Sequence, residues 1–336
     1  MKNNVTINDI AKMANVSKTT VSFILNNKDG ISEQTRQRVM SVIEQTNYKP
    51  AKNSKRLFFQ KNYTLAVVFD KSVPVLDNLF YYGILNALMK QCMHYDYSLV
   101  YSEYSLEGEQ LSLPQHILDK DVDGLIFLKD IPLPLITKLH ELELPFVVVD
   151  DHSEHSGLHT VKADYRLAAY TAVSHLLEQG HRRIGFLGNK ALPAFFTQVF
   201  SGFQSALKEA GLPLELEWYF DDIRNQKALD RVLSSVCLAE NRPTAFFCIE
   251  DNLAIMLIRQ LQKGGWRVPE DFSVIAIDDL IISSQIYPAL TTVAVDKEEM
   301  GTRAVDMLMA LLENRETKSV TISSNNLVVR ESVKKI

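Results

Sequence analysis

Between residues 62 and 336, short β-rich runs alternate with amphipathic helical segments, and this alternation constrains the fold more than any other feature of the chain. Strand-like runs fall at 64–69, 97–101, 124–128, 146–149, 183–187, 245–249 and 274–277. Helical periodicity marks 79–94, 167–179, 199–210, 254–263 and 297–312. Such an order predicts mostly parallel sheets with helices on both faces. Spacing of roughly 100 residues between the halves predicts two similar lobes rather than a short-period repeat.

The charge is unevenly placed. The chain carries −5 overall, but residues 1–62 hold 11 Lys and Arg against four acids, leaving the remainder strongly acidic. A basic end on an acidic body is the footprint of a nucleic-acid-binding module joined to something else. A solvated basic tail would be low in complexity, whereas this segment is patterned for helices. With 46% hydrophobic and 23% charged residues, the chain is not compositionally disordered. No apolar run approaches the ~20 residues of a membrane span, and the first residues show no secretory apolar region. Cys92, Cys237 and Cys248 sit in apolar contexts and read as reduced packing residues. A cytoplasmic protein without membrane contact is expected.

In the basic segment, Thr6 and Asp9 fit a capping box, and Ile7, Ile10, Ala11 and Ala14 recur at helical spacing. Asn15 tolerates the left-handed backbone of a tight interhelical turn. Ser17 caps a second helix reaching about Leu25, with Val21, Ile24 and Leu25 inward and Lys18, Thr19, Ser22, Phe23 and Asn26 on the other face. Ser32 caps a third, with Val39, Val42 and Ile43 inward. Two short helices joined by a three-residue turn form a helix-turn-helix, whose second helix can enter the DNA major groove. Lys18 and Thr19 are of the size and polarity that reach base edges. From pattern alone, a three-helix protein-interaction bundle remains a competing reading.

The residues from Thr6 to Pro50 strongly resemble the headpiece of the lactose-repressor (LacI) family of bacterial regulators. The resemblance rests on Thr6, Ile7, Asp9, Ala11, Ala14, Val16, Ser17, Thr20, Val21, Ser22, Leu25, Asn26, Ser32, Thr35, Arg36, Val39, Ile43, Tyr48 and Pro50. It implies double-stranded operator DNA as partner and a DNA-contacting set that includes Thr6, Ser17, Lys18, Thr19, Thr20, Ser22, Phe23, Asn26, Ser32, Thr35 and Tyr48. Phe23 stands where the family often carries Arg. Arg reads guanine in bidentate fashion, whereas Phe offers apolar contact, for instance to a thymine methyl; Phe23 either presents that contact or turns inward and packs. After Pro50 the resemblance implies a hinge that folds on the operator. There Leu57 holds the place of a minor-groove wedge, Ser54 replaces a usual Ala, and Lys55 and Arg56 add phosphate-binding charge.

The body resembles the same family's core, which is similar to periplasmic sugar-binding proteins. The matching pieces include Val122-Asp123-Gly124, Gly180-His181-Arg182-Arg183, Gly202-Phe203, Val268-Pro269-Glu270-Asp271, Thr291-Thr292, Met300-Gly301 and Arg330-Glu331-Ser332. The implied organisation is an all-α headpiece at 1–48, a hinge at 49–61 and a two-lobed α/β core of doubly wound parallel sheets at 62–336. The chain is expected to cross between lobes near 160, 290 and 321. Lobe one is then 62–160 with 291–320, and lobe two 161–290 with 321–333. No heptad pattern follows Arg330-Glu331-Ser332, so a homodimer is expected rather than a tetramer.

In two-lobed proteins of this kind the ligand sits between lobes, at the carboxyl ends of strands. The resemblance places Asp278 and Asp150 at family pocket positions. Three others depart: Val199 replaces an Arg, Glu250 an Asn, and Val295 a polar residue. Phe195 and Phe196 add apolar surface for a sugar or ring. Losing a guanidinium and gaining a carboxylate disfavours phosphates, so a neutral or cationic effector, sugar-like and contacted by Glu250 and Asp278, is expected. Alternatively the pocket is degenerate and Glu250 forms a salt bridge.

His152, His155 and His159 have a tempting spacing, but Ser153, Ser156 and Gly157 make the segment a loop rather than a metal site. No cofactor motif and no nucleophile motif occurs. Adjacent strand residues point to opposite faces, so at most one each of Asp150/Asp151 and Asp278/Asp279 faces the cleft, which disfavours an enzyme. The functional expectation is a dimeric transcriptional regulator, a repressor of carbohydrate metabolism by family tendency, controlled by a small molecule. A regulator of the same fold that answers to a partner protein is the alternative.

Overall fold

The computed structural model describes residues 5–25, 30–46, 48, 61–72, 75, 78–153, 155, 157–191, 193–237 and 239–336. Asn26, Ser54, Lys55, Arg56 and Leu57, assigned to DNA contact or the hinge from sequence, lie outside these residues.

The first unit is three helices: α1 (Ile7–Met13), α2 (Lys18–Leu25) and α3 (Glu33–Thr46). Their amphipathic faces meet in one core of Ile10, Ala11, Ala14, Val21, Ile24, Leu25, Val39 and Ile43, with Val42 and Tyr48 packed at its edge. Asn15 takes φ +51°, the left-handed turn that lets α1 reverse into α2. Gly there would be freer; Asn supplies the same backbone with less entropy lost.

The body holds two sheets. The first contains β1 (Thr64–Asp70), β2 (Ser98–Glu107), β3 (Gln110–Ser112), β4 (Gly124–Leu128), β5 (Phe146–Val149), β6 (Thr160–Ala163) and β12 (Val320–Ile322). Their order is β12-β6-β5-β4-β1-β2-β3, all parallel except the β2–β3 hairpin. The second contains β7 (Ile184–Leu187), β8 (Tyr219–Phe220), β9 (Ala245–Cys248), β10 (Ser273–Asp278), β11 (Thr291–Ala294) and β13 (Asn326–Val328), in the order β13-β11-β10-β9-β7-β8, with only β13 antiparallel. Strands covered on both faces read as continuous apolar runs, as β4 (GLIFL) and β9 (AFFC) do.

Helices α4 (Leu79–His94) and α11 (Lys297–Leu312) pack together on the first sheet, with the short α5 (Gln115–Leu118) and α6 (Leu133–Leu142) elsewhere on that lobe. The pair α7 (Tyr165–Glu178) and α8 (Pro193–Glu209) covers the second sheet, with α9 (Gln226–Val236) and α10 (Asp251–Lys263). Within each pair the two helices touch through a glycine. A Cβ on Gly202 would lie 2.1 Å from the Arg166 carbonyl oxygen, and one on Gly301 2.7 Å from that of Ile84.

The chain passes between sheets after β6, after β11 and after β12, that is near residues 164, 295 and 324. Each passage comes a few residues later than the sequence placed it. The reason is pairing: β6 and β12 bond each other on the edge of the first sheet, and β11 bonds β10 and β13 in the second. No described helix is long and apolar enough to cross a membrane.

Candidate nucleic-acid interface and ligand cleft

Local capping fixes the first unit. Thr6 and Asp9 form the anticipated capping box, with the Thr6 amide donating to Asp9 Oδ2 at 2.9 Å. Ser17 Oγ accepts from the Thr20 amide at 2.9 Å and lies 2.8 Å from the Thr20 hydroxyl. Ser32 and Thr35 repeat this arrangement at the start of α3. The hydroxyls of Thr6, Ser17 and Ser32 therefore hold helix ends. On α2, Lys18 and Thr19 are exposed, Ser22 is half-buried and Phe23 is 37% exposed. The ring of Phe23 thus does not enter the core formed by Val21, Ile24 and Leu25. A helix presenting Lys, Thr and an aromatic edge from a basic unit has the chemistry to read a major groove.

The second candidate site is a cavity with about 670 Å³ of empty space, partly open to solvent, at the carboxyl ends of the strands of both sheets. Each strand end supplies side chains to it: Lys129 and Asp130 follow β4, Asp150 and His152 follow β5, Glu250 precedes α10, and Asp278 ends β10. Lys129, Asp150 and Asp278 have φ of +72°, +63° and +127°, a region that costs non-glycine residues about 1–3 kcal/mol each. The chain turns sharply there and aims these side chains into the cavity.

Asp150 is the most heavily bonded. Tyr81 donates to its Oδ2 at 2.8 Å, Tyr165 to its Oδ1 at 2.8 Å, and His152 Nε2 lies 3.2 Å from Oδ1. Burial, followed by the charge and hydrogen bond of Asp150, pushes both tyrosines well above their ordinary range. Burial alone would lower His152, but Asp150 and its neighbours outweigh it and hold the imidazole above its usual value. Its Nδ1 is buried without a hydrogen-bond partner. Asp130 accepts from the backbone amides of His152 and Ser153 and so shapes this corner.

On the facing lobe, Asp278 is 7% exposed, and its carboxylate accepts no hydrogen bond from the described residues. Burial, then the charge of Asp251, push its pKa far up, with Lys297 opposing. Glu250 is also raised, by burial and then by Asp251, against the pull of Lys129. Asp251 itself is fully buried and accepts from the Leu280 amide (2.8 Å), the Ser283 hydroxyl (2.5 Å) and the Thr292 hydroxyl (2.6 Å), tying α10 to the loops after β10 and to β11. Lys297 donates to the carbonyl oxygens of Asp278 and Val295, which links the start of α11 to the end of β10.

Of the residues singled out from sequence, Asp150, Phe195, Glu250 and Asp278 line the cavity. Phe196, Val199 and Val295 do not. Phe196 packs on Phe186 and Phe200, Val199 is wholly buried in the α8 core face, and Val295 is 2% exposed beside the crossing into α11. On α8 a cavity-facing Phe195 turns its neighbour inward, since successive helical residues lie about 100° apart. Asp151 bonds Ser153 and Asp279 pairs with Arg330 at 2.6 Å, so one acid of each doublet reaches the cavity. Sequence reasoning missed Tyr81, Tyr165, Lys129 and Asp130, and it read His152 only as part of a discarded metal cluster. Lys129 follows its strand at the same place as Asp150, with Asp130 next to it, which was the available signal. Among the described residues no His, Cys, Asp and Glu group converges to hold a metal ion.

Comparison with known proteins identifies the family. The family model for bacterial regulatory proteins of the lacI family matches residues 6–51, and that for a periplasmic binding protein-like domain matches 173–333. The HTH-type transcriptional repressor PurR of Mannheimia succiniciproducens is 31% identical over 337 residues, covering 98% of this chain and 99% of its own length. Among solved structures, the lac repressor dimer bound to operator and the anti-inducer ONPF superposes with a TM-score of 0.72 at 22% identity, covering 99% of this chain and 100% of its own. A complex of the transcriptional regulator CelR with cellobiose gives 0.68 at 23% identity, covering 98% and 99%. A capped helix-turn-helix joined to two strand-end lobes, with a full-length repressor relative at this identity, assigns the chain plainly: it belongs to the lacI family of bacterial regulatory proteins, DNA-binding transcriptional repressors with a ligand-binding body.

Proposed function

We propose that the protein is a cytoplasmic, homodimeric repressor that reads a pseudo-palindromic operator and whose grip on DNA is set by a small, sugar-like effector in the cleft. The observation that carries this reading is the exposed Lys18, Thr19 and Phe23 face of α2, offered by the same chain that closes a polar cavity between two lobes. The cellobiose bound by a regulator of the same fold supports a sugar-sized ligand. A partnered surface is supported by exposed apolar residues on one side of α4, where Tyr82, Met89 and Met93 are 53%, 43% and 68% exposed at helical spacing. Two headpieces would then meet two half-sites. Effector control requires different affinities for the DNA-competent and DNA-incompetent lobe arrangements, a coupling of about 1–3 kcal/mol.

Selection of bound duplexes from random DNA by the full-length protein, at fixed salt, tests the reading. An enriched palindrome supports it, and its half-sites report what Lys18, Thr19 and Phe23 recognise. Sequence-blind, salt-sensitive binding with and without candidate sugars would overturn it and favour a regulator that depends on a partner protein.

A further inference from the structure

We propose that the effector is a cation: a protonated, hydroxylated amine of sugar size, its ammonium held between Glu250 and Asp278 and its body against Phe195. The inference rests on the effector reading above and adds the ligand's charge.

The argument is one of which charges are already satisfied. Asp150 is met by Tyr81, Tyr165 and His152, and Asp130 by two backbone amides, so neither awaits a ligand. Lys129, on the cavity wall, opposes the charge of Glu250 and Lys297 that of Asp278, but neither lysine gives those carboxylates a hydrogen bond, and Lys297 donates to carbonyl oxygens instead. Glu250 and Asp278 remain, facing one cavity, with no hydrogen-bond donor for either among the described residues. Like carboxylates in a buried site repel, and each loses hydration. A neutral hydroxyl can donate to such a group but leaves the repulsion in place. An ammonium supplies three donors and the opposite charge together. An anion would add a further like charge.

Two observations independent of the acids point to a ligand in the same cavity. His152 has a side chain only 5% exposed and an Nδ1 with no partner, a polar atom that a bound hydroxyl would satisfy. Phe195 lines the cavity beside Tyr165 and His152, ring centroids 4.8 and 5.3 Å from its own, and an aromatic wall is of the type that attracts organic cations. A bare metal ion does not fit, since no described group of ligating side chains converges on one point. The raised Glu250 and Asp278 hold a proton more readily when the cleft is empty, and a bound cation takes that proton's place.

The test is isothermal titration of the full-length protein near neutral pH with matched probes: glucosamine against glucose and glucose 6-phosphate, and putrescine against 1,4-butanediol. The expected result is that an amine binds at least about tenfold more tightly than its uncharged counterpart, in line with a charge-assisted buried pair. Binding should release protons, read as a heat that varies with buffer ionisation enthalpy, and should weaken as pH falls toward the carboxylate range. Glu250→Gln should cut amine affinity by about tenfold or more while leaving near-ultraviolet circular dichroism unchanged. Asp278→Asn is the second variant, expected to lose amine affinity likewise, and it carries the test where Glu250→Gln does not fold. A neutral or phosphorylated probe binding more tightly than its amine partner overturns the proposal, as does failure of every amine at millimolar concentration. If either occurs while a palindromic operator is still selected, only the cationic effector is lost; if no palindrome is selected, the regulator reading itself fails.

Discussion

Tyr165, the first residue of α7 on the second lobe, donates its hydroxyl to Oδ1 of Asp150, which directly follows β5 on the first lobe, across 2.8 Å. One buried phenol therefore joins the two lobes at the cavity itself. Tyr165→Phe keeps the ring against Phe195 and removes only the bond. It should lower stability by about 1–2 kcal/mol and change effector affinity more than operator affinity measured without effector. Urea unfolding together with operator titration, with and without ligand, checks this; equal changes in both affinities would deny the bond a part in coupling.

The acids opposite give a pH prediction whose sign follows from burial. Glu250 and Asp278 have folded-state pKa values raised above the ordinary carboxylate value, so the folded protein binds more protons than the unfolded chain between those limits. Their contribution to stability is therefore best below the unfolded value and is lost as pH rises through the raised values. Asp278→Asn should melt at a higher temperature than the parent protein at neutral pH, with the gap closing in acid. A gap independent of pH would show that charge is not the cause.

Asp251 behaves oppositely under mutation, because it is spent on structure. It accepts three hydrogen bonds from the Leu280 amide and the Ser283 and Thr292 hydroxyls while fully buried. Asp251→Ala should cost about 3–5 kcal/mol and disturb the cleft wall through the loop after β10. Asp251→Asn, which keeps two acceptor sites, should cost less; chemical denaturation ranks them.

In the headpiece, Ser17 and Phe23 separate stability from recognition. Ser17→Ala removes the cap of α2 and should cost that unit about 1 kcal/mol, weakening DNA binding evenly across sequences. Phe23→Ala should leave stability within about 0.5 kcal/mol, since the ring is exposed, and relax preference at one half-site position. Repeating the duplex selection with each variant distinguishes a uniform loss from a change of specificity.

The strongly apolar and the long periodic elements were legible in sequence: helices α4 and α11 lie where periodicity put them, and strands β4 and β5 where continuous apolar runs did. What escaped was short or polar. Helix α9 (QKALDRVLSSV) buries only Leu229 and Val236, so its apolar stripe is thin. Helix α6 carries Pro132 at its cap and Pro134 inside its first turn, where proline is tolerated though it reads as a breaker. Helix α8 begins at Pro193, six residues before its predicted start, because Phe195 and Phe196 read as ligand-facing aromatics rather than as the two sides of one turn. The site divides the same way. Carboxylates that end strands could be found from strand position, whereas Tyr81 and Tyr165 sit at helix starts, and only the fold brings them to Asp150.

The three passages between sheets bear on how the chain is made. The first lobe's sheet is closed on one edge by β12, and its core is filled by α11, both of which follow the entire second lobe in sequence. On the ribosome, the early strands emerge long before the helix that covers them. The second lobe likewise receives β13 last. Neither sheet has its full set of strands until this late segment is free of the ribosome, so both walls of the cleft are completed at the end of synthesis rather than one after the other.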